Sequence, residues 1–188
     1  MKWMILPLVL VLVSCTSNKD AGDSNNAFFP VASFIKSQVA MVDTTLNSIM
    51  KVVTQNGSSD TSYITRQEFR SHAVDFLSLP DLSSKKLRDE FTETQMFDQE
   101  LKSIVLNYTP KDKGSQIQRQ EVIIEPNEQS GDKVKTIYVD QLLEEKGSTV
   151  QKRLTWGVDK YFQVVTITKG DNSPEQVKIV RLSWNENR

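Results

Sequence analysis

The sequence predicts an α+β domain in which N-terminal helices pack on a roughly six-stranded antiparallel meander sheet. Three observations carry this. Apolar residues up to Phe91 recur at steps of three and four, the helical period. From about Leu101 the spacing falls to two, the period of a strand with one buried face. The links between the period-two segments are only a few residues long, too short for crossover helices, so consecutive strands should pair antiparallel.

In chain order, Ile35, Val39, Val42, Leu46, Ile49 and Val53 alternate steps of four and three, which predicts one helix over 31–53 with a single apolar stripe. Asn56-Gly57 and the polar run after it should end that helix. Thr65 and Glu68 have capping-box spacing, and Ile64 and Phe69 occupy the flanking staple positions, so a second helix should start here and carry Phe69, Ala73, Phe76 and Leu77 on its apolar face. Leu79-Pro80 closes it. Asp81 or Ser83 is placed to cap a short third helix through Leu87 and Phe91. A strand holding Ile104, Leu106 and Tyr108 follows, and then strands over 117–125, 134–143, 150–156, 161–168 and 177–184, separated by turn-rich links. No internal repeat is present.

The N-terminus has its own organisation. Lys2 precedes an apolar run from Trp3 to Val13, and Leu12-Val13-Ser14-Cys15 ends in the only cysteine of the chain. At about 11 residues, and with Pro7 inside it, the apolar run is well short of the roughly 20 residues a membrane-spanning helix needs. A basic start, a short apolar core and small residues before a cut are the parts of a secretory signal. The last four residues resemble a bacterial lipobox. The resemblance implies cleavage by signal peptidase II before Cys15 and attachment of diacylglycerol and a further acyl chain, such as palmitate, to that residue. Several acyl chains together give stable membrane anchoring. Residues 1–14 are then a signal peptide, 15–27 a lipidated cysteine with a polar tether, and 28–188 a single domain. Residues 16–26 read TSNKDAGDSNN, with nothing large to bury, so the tether should be flexible, with a reach of about 20 Å. Thr16 follows the cysteine where the family's inner-membrane retention signal would place Asp, and this points to the outer membrane of a Gram-negative bacterium.

Cleavage before Cys15 removes Lys2, one of 23 basic residues, against 24 acidic ones, leaving a net charge near −2. So balanced a chain has no electrostatic footprint for nucleic acid and no Lys/Arg block to grip anionic lipid; membrane attachment should come from the acyl anchor at Cys15. No thiol remains for a disulfide, a nucleophile or a metal ligand.

Catalytic signatures are sparse. His72 is the only histidine, beside the packing face of the second helix and four residues after Glu68, where it reads first as a hydrogen-bonded boundary residue. No G-x-S-x-G, G-x-x-x-x-G-K-[ST] or G-x-G-x-x-G occurs. Glu121 with Glu125, and Asp140 with Glu144 and Glu145, offer carboxylate pairs of the kind glycosidases use, at spacings that the wet face of a sheet also explains. No catalytic residue, metal or cofactor is expected.

The aromatics Tyr138, Trp156, Tyr161 and Trp184 are the candidate contacts for a ligand or partner, since Tyr and Trp serve as rigid binding platforms. Trp156 should be half exposed beside the 157–159 turn. In layout only, helices across an antiparallel sheet are similar to cystatin-like and NTF2-like folds and to the half-barrels of lipoprotein carriers. The expected function is a lipid-anchored, non-catalytic interaction or assembly module that meets an envelope protein. The alternatives are a carrier holding an apolar ligand between sheet and helices, or a degenerate NTF2-like enzyme. An apolar cavity under the sheet would favour the carrier, a filled core the module, and a polar pocket around His72 the enzyme.

Overall fold

A computed structural model describes residues 27–145, 147–171 and 174–185. Cys15, the signal segment and nearly all of the tether lie outside the described residues. The architecture is α+β, built on one antiparallel sheet of nine strands rather than six. The elements run α1 (Val31–Thr44), β1 (Ile49–Gln55), β2 (Ser58–Ile64), α2 (Arg66–His72), α3 (Val74–Leu77), α4 (Lys85–Arg88), β3 (Phe91–Asp98), β4 (Ser103–Pro110), β5 (Ile117–Glu125), β6 (Lys133–Glu145), β7 (Ser148–Gly157), β8 (Tyr161–Gly170) and β9 (Gln176–Ser183).

The first helix is shorter than its stripe. Ile35, Val39 and Val42 are buried as expected, but α1 stops at Thr44, and Thr45 is extended. Leu46 is 95 % exposed, and Ile49 and Val53 belong to β1. The run Ile49-Met50-Lys51-Val52-Val53-Thr54 is rich in β-branched residues, which favour a pleated surface. It is held as a strand by pairing with β9, from Met50↔Ser183 to Gln55↔Lys178. Asn56-Gly57 ends no helix. Both residues have positive φ, 52° and 78°, and Gln55 pairs with Ser58. This is the two-residue hairpin turn that Asn-Gly favours.

The capping box forms as expected: the Glu68 N–H donates to Thr65 Oγ1 at 3.3 Å, and the Thr65 N–H to Glu68 Oε2 at 2.8 Å. The third helix is reduced to α4. Asp81 accepts from the Ser83 N–H and hydroxyl, closing a local turn, and Ser84 occupies the N-cap without a side-chain bond. Phe91 opens β3.

Strand order is β2-β1-β9-β8-β7-β6-β5-β4-β3. The expected six-strand meander runs unbroken from β4 to β9; β3, where a helix was expected to reach Phe91, extends it beside β4, and the early β1–β2 hairpin is added beside β9. The chain must pass from β2 at one edge to β3 at the other, about 38 Å across at 4.8 Å per strand. The segment containing α2, α3 and α4 makes that crossing. Its Phe69, Phe76, Leu79 and Leu82 are buried together with the core face of the sheet, where cross-strand neighbours form apolar rows such as Val122, Ile137, Trp156, Phe162 and Leu182. Phe69 lies against Phe162 and Trp184 with ring centroids 5.4 and 5.1 Å apart, and Phe76 against Trp156 and Phe162 at 5.1 and 5.2 Å. Lys152 Nζ donates to Asp75 Oδ1 at 2.7 Å, joining α3 to β7.

Phe76→Ala should cost about 3–5 kcal/mol and Ile49→Ala about 2–5, because each leaves a hole in a filled core. Thr65→Ala should cost about 1 kcal/mol through loss of the cap. A chemical-denaturation series measures all three, and a neutral Ile49→Ala would remove β1 from the core.

Candidate functional site

The candidate aromatics separate by face. Trp156 is fully buried and Trp184 nearly so. Trp156 points to the core face because its neighbours across the ladder are Ile137 and Phe162, and its ring stacks on Phe162 at 5.5 Å. The half-exposed Trp156 expected from its position at a strand end is thus corrected: pleat parity, not proximity to the turn, decides where it points. Its Nε1 and the Nε2 of Gln120 are buried without a hydrogen-bond partner among the described residues, an arrangement that costs about 1–3 kcal/mol per group.

Tyr138 and Tyr161 lie on the outer face, both half-buried. Tyr161 pairs with Gly157 of β7, where an added Cβ would come within 2.6 Å of the ring. From β9, on the other side of β8, the Arg181 guanidinium carbon sits 3.7 Å from the ring centroid, and Arg181 Nη1 reaches Gln163 Oε1 at 3.5 Å. The ring is therefore held between Gly157 and Arg181. Burial raises the Tyr138 hydroxyl above its usual pKa, with smaller contributions from Tyr161 and Glu121.

Tyr161 also borders a surface groove of about 730 Å3 with Phe29, Phe34, Val134 and Val158. Phe29 is fixed there by its N–H, which donates to the Tyr108 hydroxyl at 3.0 Å. A second groove, of about 650 Å3, lies between Leu82, Leu87, Phe91 and Ile117. Both open at the surface. Between the sheet and α2 and α3 the rings of Phe69, Phe76, Trp156, Phe162 and Trp184 pack on one another.

Three of the candidate carboxylates are ion-paired. Arg119 bridges Glu121 at 3.1 Å and Asp140 at 3.3 Å, and Glu125 faces Lys135 at 3.5 Å. His72 is half-buried, and desolvation, then the Lys51 charge, hold its pKa below the ordinary histidine value. Glu68, the carboxylate in position to orient it, is engaged in the cap, whose hydrogen bonds with Thr65 lower its own pKa. Among the described residues no group of His, Cys, Asp and Glu is placed to hold a metal, and no helix is long and apolar enough to cross a membrane.

The exposed apolar side chains were missed by sequence reasoning. Tyr63 projects at the β2 edge, and Met96 and Phe97 stand 61 and 56 % exposed on β3, the opposite edge. Only the pairing order could reveal them as edge residues. In comparisons with known proteins, no family model, no curated protein and no solved structure matches the chain.

Gly157→Ala should destabilise by about 1–3 kcal/mol, because the new methyl meets a clasped ring. Adding Tyr161→Ala should recover part of the loss, a non-additivity that denaturation midpoints of the double-mutant cycle will show. Since His72 is held below its unfolded pKa, folding disfavours its protonated form. Stability should be undiminished above about pH 6.5 and fall as pH drops toward the folded-state pKa. In denaturation curves at several pH values, His72→Gln should lack this part of the acid sensitivity.

Proposed function

We propose that this chain is a lipid-anchored protein of the cell envelope, in the outer membrane, whose domain works as a non-catalytic interaction or assembly module. The observation that carries this reading is the filled core. The place where a carrier would hold an apolar ligand contains five packed aromatic rings, while exposed apolar residues lie at the margins of the sheet. The clasped Tyr161 and the bridged carboxylates add support, since they leave the outer face rigid and ion-paired. Anchoring rests on the lipobox-like residues ending at Cys15, the only thiol in the chain.

Two measurements test the two halves. Metabolic labelling with a fatty-acid analogue should mark the wild-type protein and not Cys15→Ala; label on the variant overturns the anchor. Native mass spectrometry of the protein extracted from its own envelope should show it bound to another polypeptide, whether a second copy or a different chain. A stoichiometric lipid on an otherwise monomeric protein would instead establish the carrier.

A further inference from the structure

The β3 edge has a defined chemistry. It pairs with β4 in unbroken register from Phe91↔Pro110 to Asp98↔Ser103, and among the described residues no strand pairs on its other side. The Lys111 N–H donates to Glu90 O at 2.9 Å, which fixes the phase of the ladder. In an antiparallel pair the bonded residues alternate, so Thr92, Thr94, Met96 and Asp98 bond to β4. The N–H and C=O groups of Phe91, Glu93, Gln95 and Phe97 therefore face outward. Edge strands are ordinarily protected by lysine, proline, a bulge or shortness. Residues 91–98 read FTETQMFD, eight residues with no lysine, proline or bulge, whose charges are the two carboxylates Glu93 and Asp98. The other edge, β2, is largely Ser, Thr and Asp.

We propose that β3 is the seam of a symmetric dimer, in which the β3 strands of two copies pair antiparallel about Gln95 and their sheets join into one. This rests on the module reading and names its partner as a second copy. Pairing about Gln95 uses the outward groups of Glu93, Gln95 and Phe97 from both chains, about six hydrogen bonds. It sets Glu93 opposite Phe97 and Asp98 opposite Thr92, so no two carboxylates face each other. On the outer face Met96 meets Thr94, with the two Met96 side chains on the diagonal, within reach of each other. The strand is thus complementary to itself in full register. Pairing β3 with β2 of the next copy would instead leave an open edge each time and grow into a fibre, whereas the two-fold contact closes at two copies. Anchors in one membrane raise the effective concentration of the copies for each other.

The test uses the anchored full-length protein in its own membrane, carrying Gln95→Cys and treated with a short bifunctional thiol reagent. Gln95 sits on the two-fold axis, with Cα atoms about 5.5 Å apart, so a cross-linked dimer is expected. Thr61→Cys on the β2 edge should give none, nor should the chain without an added cysteine. Phe97→Pro in the Gln95→Cys background removes one outward N–H and no bond to β4, and should reduce the dimer at least tenfold. A residue 95 thiol that reacts freely with a monofunctional maleimide and forms no dimer means the edge is bare, and overturns the proposal. A thiol that is protected from maleimide yet forms no dimer means a different protein covers the edge; that overturns the dimer and leaves the module reading standing.

Discussion

The aromatic cluster of Phe69, Phe76, Trp156, Phe162 and Trp184 is the contact on which the rest of the structure depends. A nine-stranded antiparallel sheet has one face that must be taken out of water, and the helices that cover it are short. Neither α2 nor α3 would persist alone, since helices of four to seven residues are marginal in water. The rings resolve both difficulties, because each large side chain buries an area far beyond what a single helical turn supplies. Edge-to-face contacts of Phe69 with Trp184 and Phe76 with Trp156 add orientation to burial.

That cluster also decides what the interior can do. Ring centroids there lie 5.1–6.4 Å apart, so the sheet under α2 and α3 is in contact with side chains, and the grooves among the described residues open elsewhere, beside Leu82 and Phe91 and beside Phe29 and Tyr161. The cost of this packing is visible in the indole N–H of Trp156 and in Nε2 of Gln120, which have no hydrogen-bond partner among the described residues. The outer face is set by different forces. Two of its arginines are held by neighbours, Arg119 between two carboxylates and Arg181 over the Tyr161 ring. Exposed pairs of this kind contribute little to stability.

The topology has a consequence for the surface. An open sheet has two edges, and the crossing segment from β2 to β3 covers a face, not an edge. Among the described residues each outer strand pairs on one side only. One carries hydroxyl side chains and the other methionine and phenylalanine, so the two ends of the same sheet differ in what they can attract.

The sequence by itself determined the α+β class, the capping box at Thr65 and Glu68, and six strands in their correct places, from β4 to β9. These features are local: a cap is four residues, and alternation with short turns needs no distant partner. Tertiary structure decided the rest. Ile49 and Val53 fit a helical stripe as well as a strand, and only pairing with β9 chooses between them. The Asn56-Gly57 hairpin was hidden because β2 is polar on most of its length and shows no alternation. Phe91 belongs to an edge strand whose exposed residues have no reason to alternate. Trp156 sits in the core because of the face it shares with Ile137 and Phe162. The ring of Tyr161 is held by Gly157, four residues away across the hairpin, and by Arg181 from β9. Strand register and edge status are relations between distant segments, and one-dimensional spacing does not contain them.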